Sequence, residues 1–441
     1  MKSTRRDFIK KAALATTAIT VGMSAQSYGN VLGANEMMNV AIIGANSRGQ
    51  ALIQSASVVP NVNIKYVCDV DSRVIDKTLA KLKSIGSQSP QGFKDIRKLL
   101  EQKDLDAIMI ATPDHWHAPM ALMGVQAGKH VYVEKPCSHN AREGELLVEA
   151  QKKYPKLIIQ MGNQQRSAPT SIQAMKDIQN GIIGEVYFGK AWYTNNRGSI
   201  GVGKETAVPD WLDWDLWQGP APRTKFKDNY VHYNWHWFWN WGTGEINNNG
   251  AHEMDICRWA LGVDYPVRVS SSGGRYGFQD DWEFYDTQIA NFEYEGGKML
   301  TWEGLSCNSF RINQLDRGSS IHGTKGSIVL TRNNYRVFDI QGKMIKEEFE
   351  KQVSATTDPV GAGGLDAYHM NNFMNAIRIS EKQNSPIAEG HKSVLLCHLG
   401  NIAQKLGRTL QTDPQNGRIL KDKEALEMWG REYESGWEPK V

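Results

Sequence analysis

Gly44-Ala45-Asn46-Ser47-Arg48-Gly49 follows a short apolar run, Val40 to Ile43, and leads into a helix-like stretch. Two glycines at that spacing turn the chain tightly between a buried strand and a helix. The helix N-terminus then faces whatever lies in the turn, which suits a pyrophosphate. Asn46 stands where a middle glycine is usual. Asn tolerates positive φ better than other non-glycine residues, so the turn is expected to survive with it. Asp69 closes the next strand-like run, 25 residues after Gly44. A carboxylate there accepts ribose hydroxyls and repels a 2′-phosphate, which favours NAD over NADP even with Arg73 nearby. The bland alternative is a glycine turn in an α/β domain without a cofactor.

Two later segments fall where ligands bind in open α/β sheets, at the carboxyl ends of strands. One is Ala111-Thr112-Pro113-Asp114-His115-Trp116-His117, the other Glu134-Lys135-Pro136. Both are expected to face the same crevice as the Gly44 turn.

The elements that must hold these residues are legible as alternating runs. Val40–Ile43, Asn63–Val67, Ala107–Ile110, His130–Val133 and Leu157–Gln160 read as strands. Helix-length stretches, such as Val74–Ile85 and Ala118–Ala127, lie between them. That alternation implies βαβ units and a parallel sheet. After about Ser167 the strand-like runs become longer and more polar, as in Val186–Thr194, Asp286–Tyr294 and Met299–Gly304. They point to an antiparallel sheet with one covered face. The expected fold is α/β followed by α+β: an N-terminal Rossmann parallel sheet over 37–167, then a second domain over 168–441 with a large, mostly antiparallel open sheet. A helix over Asp366–Arg378, carrying His369 and Asn372, is placed to return to the cleft.

The chain resembles the Gfo/Idh/MocA family of oxidoreductases along nearly its whole length. The resemblance rests on the Gly44 turn, on Thr112-Pro113 with His117, on Glu134-Lys135-Pro136, and on Asn248-Asn249-Gly250-Ala251-His252-Glu253-Met254-Asp255. Gly323-Thr324-Lys325-Gly326-Ser327-Ile328 also looks like the family's second-domain turn. The resemblance implies NAD held by Gly44, Asn46, Ser47, Arg48, Gly49, Asp69, Thr112, Pro113, His115, His117, Glu134, Lys135 and Asn163. It places Lys135 beside the nicotinamide and the reacting hydroxyl, and makes His252 the acid/base. Asn248 replaces the family's carboxylate four residues before that histidine, so Lys135 is expected to lack one negative partner.

The residue types fit those roles. Hydride leaves a carbinol carbon only as the hydroxyl proton departs, so a base must lie within hydrogen-bond reach. Histidine titrates near neutrality, and lysine polarises a developing oxyanion. If a helix starts at Asn248, His252 and Asp255 share one face, with Asp255 orienting His252 or standing behind it. The bland alternative makes His252 a satisfied core histidine.

Eight of the 14 tryptophans lie between Trp211 and Trp259. Trp235, Trp237, Trp239 and Trp241 alternate with other residues, and at strand period their indoles share one face. Such rings suit sugar C–H faces, although a packed aromatic core reads equally well. Arg166, Tyr193, His236 and Trp237 are the candidate substrate contacts, with Arg197 and His232 nearby. No metal is expected, because the paired histidines lack carboxylate or cysteine partners at ligand spacing.

Composition sets the outer limits. The net charge of +3 is concentrated in the first 30 residues, where Lys2, Arg5, Arg6, Lys10 and Lys11 face only Asp7. The remainder is close to neutral, so no nucleic-acid footprint remains. Five scattered cysteines give no disulfide framework. Thr4-Arg5-Arg6-Asp7-Phe8-Ile9-Lys10, followed by an apolar stretch to about Met23, resembles a twin-arginine export signal over roughly 1–30. The expectation is a periplasmic protein, off the membrane once the signal is removed, whose cofactor is bound tightly and regenerated in each cycle. A homo-oligomer, dimer or tetramer, follows from the resemblance. Three functions fit: a sugar or glycoside oxidoreductase, an NAD-dependent glycoside hydrolase or lyase with no net redox change, and a non-catalytic carbohydrate-binding protein that keeps NAD.

Overall fold

The computed structural model describes residues 37–350 and 364–441, so the twin-arginine-like stretch lies outside the described residues. Six strands, β1 (Met38–Ile43), β2 (Val62–Cys68), β3 (Gln91–Phe93), β4 (Ala107–Ile110), β5 (His130–Val133) and β6 (Ile159–Met161), form one sheet in the order β3-β2-β1-β4-β5-β6. Every pairing in it is parallel. β4 and β5 are buried at every position, as required when helices cover both faces. The five runs read from the sequence are all present. β3 is too short and too exposed to have left a hydrophobic signature.

Helices α1 (Ser47–Ser57), α2 (Ser72–Ser84), α3 (Asp114–Gln126) and α4 (Ala141–Lys153) complete the Rossmann half. α3 starts four residues earlier than its apolar pattern suggested, because Pro113 allows the helix to begin directly at Asp114. The strand order reverses between β1 and β4, and this opens the crevice at their carboxyl ends.

The second sheet runs β15-β14-β13-β12-β7-β10-β9-β8-β16. Its central members are β7 (Val186–Asn196), β8 (Arg268–Gly274), β9 (Thr287–Glu293) and β10 (Met299–Leu305). The short β11 (Cys307–Asn308) pairs with β7. β12 (Arg317–Gly323), β13 (Gly326–Leu330), β14 (Asn334–Asp339) and β15 (Met344–Phe349) extend one edge, and β16 (Leu410–Gln411) closes the other. The sheet is antiparallel except between β7 and β10, which run parallel. Helix α5 (Ala251–Leu261) lies on one face of this sheet. Gly189 of β7 leaves just enough space for Cys257: an added Cβ would stand 3.0 Å from the cysteine Cβ.

Two late helices join the halves. α6 (Leu365–Ile379) returns to the Rossmann domain, where Met370, Phe373 and Met374 enter the core formed with β1 and α1. α7 (Ile387–Leu406) contributes Ile387 and Val394 to the Rossmann core and Leu395, Leu396 and Leu399 to the core of the second sheet. The halves are therefore packed through shared apolar side chains, and burying each one is worth about 2 kcal/mol.

The tryptophan run does not form a strand. A 3-10 turn over Asn234–Trp237 breaks the alternation, and each indole goes to a different partner. Trp235 stacks on His236 at 3.6 Å, Trp237 on Trp282 at 3.9 Å, and Trp239 lies 3.9 Å from Phe284. Trp241 packs against Tyr230 and Trp217 in a cluster with Trp214 and Phe226. Separate aromatic contacts, worth about 1 kcal/mol each beyond burial, outweigh a shared face. The segment is also stitched to the Rossmann half: Ser72 N–H donates to the Trp211 carbonyl, Asp213 N–H to that of Val70, and His115 N–H to that of Trp241.

Candidate active site

A cavity of about 600 Å³ lies between the crevice at the strand ends and the second domain. Its Rossmann wall is built around the Gly44 turn. Gly44 has φ +78°, and a Cβ there would stand 2.6 Å from the Ala111 carbonyl oxygen. A Cβ on Gly49 would stand 2.0 Å from the Gly44 oxygen, so both glycines are required by close backbone approach. Asn46, by contrast, is extended at φ −82° and caps nothing with its side chain. The expectation that it relies on tolerance of positive φ is corrected: this turn needs no left-handed residue in the middle. The N-terminus of α1, free of a side-chain cap, opens with Ser47 and Arg48 on the cavity, and this cradle fits a dinucleotide pyrophosphate.

Asp69 lines the same wall and accepts the N–H groups of Ala45 at 2.8 Å and Asp71 at 3.0 Å. It thereby fixes the turn, while each oxygen keeps a lone pair for a ribose hydroxyl. Arg73 is held by Asp71 at 2.7 Å and lies over the Trp211 ring at 3.5 Å. Both contacts engage it outside the cavity, which it does not line.

Thr112, Pro113, His117 and Glu134 also line the cavity. His117 has both ring nitrogens against carbonyls, Pro136 O at 2.6 Å and Thr112 O at 2.8 Å, so it shapes the wall and offers no nitrogen to a ligand. Glu134 is paired with Arg48 at 2.8 Å, and Arg48 in turn holds Asp366 at 2.7 Å. This Glu134–Arg48–Asp366 chain ties β5, α1 and α6 together beneath the cofactor cradle. His115 and Asn163 do not reach the cavity. The early start of α3 turns His115 inward, fully buried, with Nε2 on the Trp217 carbonyl at 2.9 Å. Asn163 is 2% exposed just beyond β6.

The opposite wall is made by side chains of the second domain. Residues Ile246–Gly250 form a π-helical turn that leads into α5, and such wide turns recur where a helix must present side chains to a site. Asn248 and His252 both face the cavity. Lys135 Nζ reaches across to donate to the Asn248 carbonyl at 2.5 Å and to its Oδ1 at 3.2 Å. Burial pushes the lysine pKa down, against the attraction of Glu134, Asp114 and Glu245. The negative partner that Asn248 was expected to remove is therefore supplied from behind. Glu245, 4% exposed, accepts Asn248 Nδ2 at 3.3 Å and is paired with Arg197 at 2.7 Å.

His252 makes no hydrogen bond among the described residues. Burial, then the nearby cations Lys135, Arg332, Arg317 and Arg48, hold its pKa well below the usual histidine range. Its imidazole is accordingly neutral and open to a ligand. Asp255 does not orient it. Asp255 is 1% exposed and takes Arg166 in a two-point pair at 2.7 and 2.8 Å, together with Ser393 Oγ of α7. A buried carboxylate requires such a partner, and losing one member of the pair costs about 3–5 kcal/mol. Arg166 is thus a structural ion and does not line the cavity, which corrects its assignment as a substrate contact. Trp237 is corrected likewise, because its stack on Trp282 buries it to 1% exposure. Tyr193 and His236 do line the cavity.

Several residues here went unread in the sequence. Glu245 stands one helical turn before Asn248, and that spacing was a usable signal. Arg317, which pairs with Glu253 at 2.7 Å, opens β12, and Arg332 lies in the turn after β13; both are far along the chain and left no local signal. Tyr233, whose hydroxyl accepts Arg197 at 2.8 Å, belongs to the aromatic segment. Among the described residues, no group of three or more His, Cys, Asp or Glu side chains is arranged to hold a metal ion.

Comparison with known proteins agrees with this architecture. A family model described as "Oxidoreductase family, NAD-binding Rossmann fold" matches residues 38–162. A second, "Oxidoreductase family, C-terminal alpha/beta domain", matches 182–438. A curated relative, a glycosyl hydrolase family 109 protein of Saccharopolyspora erythraea, is 30% identical over 208 residues, covering 44% of this chain and 45% of the relative. The chain thus spans under half the length of the curated relatives it matches. Among solved structures, the WlbA dehydrogenase from Bordetella pertussis in complex with NADH and UDP-GlcNAcA aligns with TM-score 0.64 at 18% identity, covering 86% of this chain and 99% of that one. A levoglucosan dehydrogenase in complex with NADH and L-sorbose aligns with TM-score 0.67 at 17% identity, covering 85% and 99%. An oxidoreductase domain protein from Kribbella flavida aligns with TM-score 0.65 at 19% identity, covering 85% and 99%.

Proposed function

The chain belongs to the Gfo/Idh/MocA family of NAD-binding oxidoreductases, and from this we propose that it moves a hydride between NAD and a hydroxyl-bearing carbon of a sugar or glycoside. One observation carries the reading. Lys135, Asn248 and His252 converge on a single cavity whose other wall is the Gly44 dinucleotide turn. When bound, NAD supplies the hydride acceptor. The protein's own residues manage the proton and the position of the substrate.

Neutral His252 takes the hydroxyl proton of the sugar. Lys135, anchored on Asn248, donates to the same oxygen and stabilises its developing charge. Glu245 and Arg197 hold Asn248 in place from behind. Tyr193, Tyr233 and His236 line the remaining wall and offer polar groups to ring hydroxyls. An exported enzyme, as the N-terminal stretch suggests, requires the dinucleotide to stay bound and be restored in each cycle.

A second reading has its own support in the family 109 relative. Oxidation of a sugar hydroxyl acidifies the neighbouring C–H, a group is eliminated, water adds, and the hydride returns. Product analysis separates the two. Purified protein carrying NAD is mixed with glycosides, and absorbance at 340 nm is followed alongside mass spectrometry. A keto sugar with a persistent reduced band supports the oxidoreductase reading. A released aglycone without lasting reduction supports the glycosidase. If Lys135→Ala leaves both outputs unchanged, neither catalytic reading stands.

A further inference from the structure

Arg332 differs from the other arginines of the cavity, Arg48, Arg197 and Arg317, each of which is paired with a carboxylate. It sits in the tight turn between β13 and β14. Thr331 N–H donates to Asn334 O at 2.9 Å, and Gln165 docks on the Thr331 carbonyl at 3.2 Å, so the turn is held on both sides. The side chain lines the cavity beside His252 and Arg317. Its guanidinium has neither an ion pair nor a hydrogen bond among the described residues. The two carboxylates that act on it are taken elsewhere: Glu253 by Arg317 at 2.7 Å and Asp366 by Arg48 at 2.7 Å. Arg197, on the same wall, is neutralised by Glu245.

A guanidinium partly withdrawn from water without a counter-charge is costly, and the positive charge of Arg317 adds to that cost. Burial first, then Arg317, lowers its pKa to about 10. The fork geometry of arginine matches a carboxylate or sulfate at two points, and among the described residues no carboxylate competes for it. Resting on the sugar reading of this site, we propose that the substrate is an acidic sugar, with a carboxylate or sulfate ester seated on Arg332 while the reacting hydroxyl lies at Lys135 and His252. Neutral sugars leave the cation without a partner and are discriminated against.

The test is equilibrium binding to the NAD-loaded full chain, by calorimetry and tryptophan fluorescence. Matched pairs of methyl glycosides in gluco, galacto and manno configurations are compared, each as neutral sugar, uronate and 6-sulfate. An acidic member binding more than about tenfold tighter than its neutral partner is expected in at least one configuration. Arg332→Gln should abolish that preference, and Arg332→Lys should restore part of it. Equal binding of neutral and acidic members, or a preference that survives Arg332→Gln, overturns the proposal. So does loss of retained NAD in Arg332→Gln with sugar preference intact, which would place the cation on a cofactor phosphate. If no sugar of either kind binds, the sugar reading itself falls.

Discussion

The two walls of the cavity are built by different means. The Rossmann wall works through its backbone: a glycine turn, a helix N-terminus and a carboxylate that accepts main-chain N–H groups. The second-domain wall works through side chains gathered from a π-helical turn, strand ends and the aromatic segment. A backbone device depends on the absence of atoms, so it is sensitive to addition. A side-chain device depends on paired charges, so it is sensitive to deletion.

The sharpest break of that contrast adds one side chain to the first wall. Gly44→Val places a branched Cβ against Ala111 at positive φ, and NAD affinity is expected to fall more than about 100-fold, read by titration with circular dichroism as a folding control. Retained affinity would mean the turn is not the cofactor seat. On the second wall, Glu245→Gln keeps the volume but removes the charge behind Asn248 and Arg197. A drop of about tenfold in kcat/KM is expected, with NAD affinity unchanged and stability reduced by about 3 kcal/mol. A loss of NAD binding in this variant would blur the division between the walls.

A third test concerns the seam that holds the walls together. His369 donates its Nε2–H to the Met161 carbonyl and accepts the Ser167 hydroxyl at Nδ1, and His391 lies on α7. Burial lowers both from 6.5 to about 4. Below pH 6.5 the unfolded chain takes up these protons and the folded chain does not. Stability is therefore full above pH 6.5 and declines towards pH 4, by up to about 1.4 kcal/mol per pH unit for each histidine. Melting temperature measured across that range should fall as the pH drops, and a flat profile would remove these histidines from the seam.

The difference between the walls also explains what could be read in advance. Gly44, Asp69 and the β1, β2, β4 and β5 strands follow from local rules, because a turn and a parallel strand are set by neighbouring residues. Lys135, Asn248 and His252 were reached through short motifs that keep their spacing. His115, Asn163, Arg166 and Trp237 were misjudged for one reason. Each has a polar or aromatic group that could serve a ligand or a core, and only the packing shows which.

By itself, then, the sequence determined the two sheets, the dinucleotide turn and the motif residues, because backbone geometry and hydrophobic period are local properties. The tertiary structure alone decided which charges cancel. Asp255 is taken by Arg166, Glu253 by Arg317 and Asp366 by Arg48, and Arg332 is left open to the cavity. Those partners lie up to 318 positions apart in the chain, and a Coulomb interaction depends on distance in space, which no local pattern encodes.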